Sequence, residues 1–154
     1  MFSAMRRSAK EIFGEDIIDI LNRGEYGVLA TLGENGYAYA VPLSYVYFNK
    51  RIYFHCAVEG NKLDNINYND KVSFCVVGKT KVLPEEFSTE YESVIAFGMA
   101  SFIYGDEKKA ALLSIANKYS PSFKEEGIQY IDRAISKTCV VKIEIERLTG
   151  KARR

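Results

Sequence analysis

The stretch from Gly36 to Ile66, GYAYAVPLSYVYFNKRIYFHCAVEGNKLDNI, constrains the fold more than any other part of the chain. Two runs rich in β-branched and aromatic residues, Tyr37–Phe48 and Arg51–His55, meet across Asn49-Lys50. Runs of this composition, bounded by turn residues, predict strands. The second run delivers His55, the one histidine of the chain. Gly60 and Lys62 follow, and a short helical pattern begins there. A strand that feeds a helix N-terminus carrying a lysine suits an anion such as a phosphate. The first-turn N–H groups lack helical partners, the helix dipole favours negative charge, and the lysine adds a full positive charge.

The rest of the chain fills in around that segment. Ser8 to Asn22 reads as helix, with Ile12, Phe13, Ile17, Ile20 and Leu21 at roughly helical spacing and Gly24 as its stop. Tyr26–Leu32 is a strand, and Asn35-Gly36 is a strong hairpin signal before the next one, Tyr37–Phe48. Pro42 must then sit where no ladder N–H is required, at an edge or a bulge. After Arg51–His55 comes a short helix, Lys62–Tyr68, with Leu63 and Ile66 on one side. Val72–Val77 is the fourth strand and Leu83–Tyr91 a connecting loop. Glu92–Tyr104 is a long fifth strand with Gly98 as a bulge. Asp106–Tyr119 is the clearest helix, and Ile128–Ile135 gives another helical turn or two. Thr138–Arg147 alternates cleanly and is the sixth strand. Six strands with hairpin connections and short helices indicate an antiparallel barrel, with all of residues 1–154 in one domain.

Bulk properties exclude several classes. A chain of 154 residues is domain-sized and buries roughly 68–70% of its unfolded surface. A net charge of +1 gives no reason to expect a nucleic-acid or membrane partner. The longest apolar run is tyrosine-rich, interrupted, and too short for a membrane span. The N-terminus lacks a continuous apolar stretch, so no signal peptide and a cytoplasmic protein are expected. Cys56, Cys75 and Cys139 stand far apart in sequence, and their odd count argues against a disulfide framework, so they read as small core residues. No zinc-type ligand spacing occurs, and no metal is expected. The G-x-G-x-x-G fingerprint and the G-x-S-x-G elbow are both missing. With no evident acid–base apparatus, any difficult chemistry belongs to a cofactor that the protein binds and orients.

The motifs GY-x-Y-x-VPL-x-YVY, IYFHCA and EG-x-KLDNI resemble those of flavin-binding split-barrel proteins related to pyridoxamine 5'-phosphate oxidase. Within that group the chain is most similar to Nim-type 5-nitroimidazole resistance proteins. Met5–Arg7, Leu29–Thr31, Asn69–Phe74 and Leu148–Ala152 extend the resemblance over most of the length. It implies a mainly β fold, a six-stranded antiparallel Greek-key split barrel. It also implies FMN as cofactor, with FAD as the alternative flavin, and a homodimer with the flavin at the interface. The main chain of Val41, Pro42, Leu43 and Ser44 would hold the isoalloxazine edge. Phe54, His55 and Lys62 would lie on the phosphate side, and Ser93 would reach the cofactor from the second protomer. No catalytic residue is implied.

Each residue also has a plainer reading. His55 could be a structural strand histidine, Lys62 a solvated helix lysine, and Pro42 an edge-strand proline. The tyrosines Tyr37, Tyr39, Tyr45 and Tyr47 read as barrel wall and dimer surface rather than as a platform for nucleic acid. Pyridoxamine-phosphate oxidases carry a tryptophan-containing C-terminal segment that has no counterpart here, which argues against vitamin-B6 oxidation. Their arginine–lysine pair is matched by Asn61-Lys62, one charge fewer, so weaker cofactor binding is expected. The resemblance implies a flavin-dependent reductase of small nitroaromatics, with NADH or NADPH as electron donor. The rival expectation is a non-catalytic flavin or haem carrier or sensor, with His55 as an axial haem ligand.

Overall fold

A computed structural model describes residues 1–154. In chain order the elements are β1 (Glu11–Ile12), α1 (Glu15–Arg23), β2 (Gly27–Leu32), β3 (Ala38–Leu43), β4 (Val46–Phe48), β5 (Arg51–Cys56) and α2 (Asn61–Tyr68). There follow β6 (Lys71–Leu83), β7 (Ser88–Phe102), α3 (Gly105–Tyr119), α4 (Lys124–Ala134) and β8 (Cys139–Arg153). The strands form one antiparallel sheet in the order β3-β2-β6-β7-β8-β5-β4, with β1 added to β8. Its two ends, β3 and β4, are consecutive in sequence and joined only by Ser44 and Tyr45. The sheet therefore curls until its edges face each other, and the chain itself crosses the gap. That is a split barrel, as expected, with eight strands in place of six.

The extra strands have identifiable causes. Tyr37–Phe48, read as one strand, breaks at Ser44-Tyr45 because Tyr45 turns fully into the core. Its hydroxyl donates to the Leu21 carbonyl and its amide donates to the Tyr119 hydroxyl at 3.0 Å. Leu83–Tyr91, read as a loop, is the end of a hairpin. β6 and β7 pair as far as Leu83 and Ser88, closed by a short turn at Pro84–Glu86 and a left-handed Phe87. Lys79 to Val82 are all exposed, so this arm shows no buried face to mark it as strand. Ser8–Asn22 is not one helix. It divides into a short turn, β1 and α1, with Gly14 at φ +57° between them.

Other expectations hold. Asn49 and Lys50 both adopt positive φ (50° and 60°), the geometry of a tight hairpin turn that matches strand twist. The β7·β8 register shifts between Phe97 and Gly98, where a side chain would strike the Glu144 backbone. Pro42 lies on β3, which pairs only with β2 and is an edge strand.

The curled sheet encloses one core cluster, including Leu29, Ile52, Phe54, Phe74, Val76, Val94, Val141 and Ile143. Ile17, Ile20 and Leu21 of α1, with Leu63 and Ile66 of α2, complete it. A second cluster, including Val46, Tyr53 and Val140, packs α3 and α4 against the outside of β4, β5 and β8 through Ala111, Leu112, Ile115 and Ile131. β5 is thus buried on both faces, which explains its unbroken apolar run Ile52-Tyr53-Phe54. No helix is long and apolar enough to cross a membrane.

Candidate cofactor site

β5 ends at Cys56, and four residues later Gly60 stands at the N-cap of α2. Gly60 has φ +146° and ψ 166°, a conformation that favours glycine, so the chain can reverse there without strain. Asn61 is the first helical residue, and no side chain caps this end. Leu63 and Asp64 donate their amides to the Gly60 carbonyl at 3.1 Å. The amides of Asn61 and Lys62, in the same first turn, have no such partner. Lys62 is half-buried there and forms no ion pair with any carboxylate. Leu63 and Ile66 fix the helix to the core, and the Asn65 amide donates to the buried Thr31 hydroxyl at 3.0 Å, tying α2 to β2. The result is a rigid helix N-terminus with an unpaired ammonium beside it. That donor set suits a phosphate.

Beside β2 runs β3, whose far edge pairs with nothing. The side chains of Val41 and Leu43 pack on the core, while Pro42 and Ser44 are exposed. An unpaired strand edge presents a row of N–H and C=O groups, which can match the edge of a planar heterocycle. Phe54 is fully buried inside the barrel, so only its main chain is available to a ligand.

His55 faces elsewhere. Successive strand residues point to opposite sides, and His55, itself exposed, stands at the edge of a cavity of about 500 Å³ between β5, α3 and α4. Leu112, Ile115, Tyr119, Phe123, Tyr130 and Ile131 line it. Partial burial there lowers the His55 pKa below its usual value and favours the neutral ring. Cys56 points the other way, towards Lys62, whose positive charge acts on both the Cys56 and Cys139 thiols. The structure therefore groups Lys62 with the Cys56 side of β5 and sets the His55 ring on the opposite side.

Ser93 stands apart from both. It lies on the outer face of the sheet, between Val77 and Lys151 in register. Within one chain it does not join Lys62. The same face carries a row of opposed residues, Val28, Cys75 and Ile95, across β2, β6 and β7. Leu32, Val77, Ile95 and Met99 leave large apolar surfaces exposed there.

Sequence reasoning missed Lys118. Its ammonium donates to the Tyr45 carbonyl at 3.0 Å and lies 3.8 Å over the Tyr45 ring. Burial lowers its pKa to about 8. The neighbouring Tyr119 hydroxyl donates to the Glu25 carbonyl at 2.6 Å. Only the folded chain brings α3 against the β3–β4 crossing, so no local pattern marks these residues.

The family model described as pyridoxamine 5'-phosphate oxidase matches residues 14–152. Among solved structures the chain is similar to a protein of Bacteroides thetaiotaomicron provisionally named for 5-nitroimidazole antibiotic resistance. The two share 25% identity with a TM-score of 0.79, over 92% of this chain and 86% of that one. A flavocytochrome of Azotobacter vinelandii shares the fold at 18% identity and a TM-score of 0.83, over 98% of this chain and 72% of that one. So does an FAD-binding protein of Mesorhizobium loti, at 18% identity and a TM-score of 0.66, over 94% and 98%. No curated protein matches the sequence significantly.

Proposed function

Because the chain belongs to the pyridoxamine 5'-phosphate oxidase family, we propose that it binds a flavin, FMN in the first instance, in a homodimer. The observation that carries this reading is Lys62, an ammonium without a carboxylate partner beside the uncapped N-terminus of α2. Lys62 and the first-turn amides of α2 hold the flavin phosphate. The main chain of Val41 to Ser44 on the free edge of β3 holds the ring system, with Pro42 withholding a donor at one point. The main chain at Phe54 and His55 borders the phosphate side. Ser93, remote from Lys62 within one chain, contributes from the second protomer. The flavin-binding names among the structural neighbours agree with this reading.

When bound, the flavin supplies two-electron chemistry. The chain's own residues bind, orient and shield it, and no side chain of the site is required as acid or base. We take a small nitroaromatic of the nitroimidazole type as the substrate class, from the likeness to the Bacteroides protein, with a reduced nicotinamide as donor. One observation favours a second reading, a haem carrier or sensor. His55 borders a largely apolar cavity where the neutral imidazole is favoured, and neutral imidazole is the form that ligates iron.

The absorption spectrum of the purified protein separates the readings. A flavin spectrum that bleaches with NADH or NADPH and recovers with a nitroimidazole supports the reductase. A flavin spectrum inert to reductants supports storage or sensing. A sharp Soret band supports haem.

A further inference from the structure

The last register pair of β5 and β8 sets Cys56 directly opposite Cys139. Opposed residues of antiparallel strands share a face, with Cα atoms about 4.5 or 5.5 Å apart according to the hydrogen-bonding phase. Either value lies inside the span of roughly 4.4–6.8 Å that a disulfide bridges. Both side chains pack against the same core cluster, so the two thiols lie on one side of the sheet. Both are half-buried, and Cys139 borders a groove of about 520 Å³ that also exposes Val58, Glu59, Asp64 and Lys108. A small oxidant in that groove meets Cys139. Cys75 lies away from them, on the outer face of β6 between Val28 and Ile95.

We propose that Cys56 and Cys139 are an oxidisable thiol pair, a modification site at which hydroperoxides drive formation of a cross-strand disulfide. The two sulfurs have different roles. Burial raises both thiol pKa values, Cys56 to about 11. At Cys139 the positive charges of Lys108 and Lys62 act in the opposite direction. Cys139, which borders the groove where Cys56 does not, is the attacking sulfur, and Cys56 behind it is the resolving thiol. The Cys139 sulfur attacks a peroxide oxygen and the O–O bond breaks. Cys139 becomes a sulfenic acid, and the departing hydroxide leaves as water with the thiol proton. The Cys56 sulfur then attacks the sulfenic sulfur, the S–O bond breaks, and a second water leaves with the Cys56 proton. Two thiols lose two electrons, and hydrogen peroxide is reduced to two waters. Because burial keeps both sulfurs largely protonated at neutral pH, the step is slow there and quickens as pH rises. The bond staples the end of β5 to the start of β8 beside α2. The inference does not depend on the flavin reading.

The test uses the full chain, reduced, freed of reductant and treated with hydrogen peroxide at pH 7 and pH 9. Free thiols are counted after denaturation, and peptides are mapped by mass. The expected result is a fall from three thiols to one and a mass lower by two hydrogens. A Cys56–Cys139 linked peptide should appear, all of it reversed by dithiothreitol, with faster loss at pH 9. Cys75→Ser should go from two thiols to none. Cys56→Ser should trap a sulfenic acid on Cys139 that a cyclic diketone captures. Three thiols persisting after treatment, loss through Cys75, or sulfinic acid without a linked peptide would overturn the proposal. The wild-type peptide map decides the matter even where a cysteine variant folds poorly.

Discussion

At the scale of single residues, Lys62 and His55 separate a binding role from a structural one. Lys62 has no acidic partner, so its charge is available to a ligand. A charge-assisted contact contributes about 1.5–3 kcal/mol, so Lys62→Ala should weaken FMN binding by roughly 10–150-fold. Riboflavin, which lacks the phosphate, should bind the variant almost as it binds wild type. Equal losses for both ligands, measured by flavin fluorescence quenching, would reject the assignment. His55 has a folded pKa below its ordinary value because it is partly buried. Between that lowered value and about 6.5, the unfolded chain binds more protons than the folded one, so stability is lost as pH falls through this window. His55→Gln should flatten that part of the stability profile, read by urea denaturation between pH 5 and 8. An unchanged slope would show that the packing beside the α3–α4 cavity leaves the ring's titration unperturbed.

At the scale of elements, the contact between α3 and the β3–β4 crossing closes the gap of the barrel. Lys118 is its titratable part, with a pKa lowered to about 8 by burial. From about pH 8 to 10.5 the unfolded state holds more protons at this site, so its contribution rises with pH. The thiols act in the opposite sense over much of this range, because burial raises their pKa values. The difference between wild type and Lys118→Met isolates the lysine. The Met variant should compare best at pH 7 and lose ground by an amount on the order of 1 kcal/mol by pH 10, since solvent screening reduces the full-burial effect. A pH-independent difference in denaturation midpoint would refute the burial of this ammonium.

Much of this level was legible in the sequence. Composition marked β5, alternation marked β7 and β8, and Asn-Gly and Asn-Lys marked two hairpins. Gly60 and Lys62 marked the start of α2. The Ser44-Tyr45 break was not legible, because what bends the chain is the fit of Tyr45 between Leu21 and Tyr119, both remote in sequence. The β6–β7 arm was hidden because both its faces are exposed. The Cys56–Cys139 pair depends on the β5·β8 register, which no local pattern encodes. For the candidate site, the sequence supplied the residues but not their grouping. Alternation along β5 sends the His55 ring away from Lys62, and Ser93 lies on the outer face of the sheet.

At the scale of the whole molecule, the outer sheet face is the surface a second copy would cover. Phe2 of the N-terminal segment already packs on Phe97, with ring centroids 5.0 Å apart, but Val77, Ile95 and Met99 remain uncovered. An apolar face of this kind on a stable protein marks an interaction site. Ile95→Lys places a charge on this apolar face, at the β7 end of the Val28–Cys75–Ile95 row, and should convert a dimer to a monomer in light scattering, with flavin affinity falling alongside. A wild-type protein that is monomeric when loaded with flavin would contradict the two-protomer site. The central claim, that the α2 N-terminus with Lys62 holds the phosphate of a flavin, is tested most directly by titrating the wild-type chain with FMN and then with riboflavin. The account predicts saturable binding of FMN, at least about tenfold tighter than riboflavin. No saturable binding, or equal affinity for the two, would contradict it.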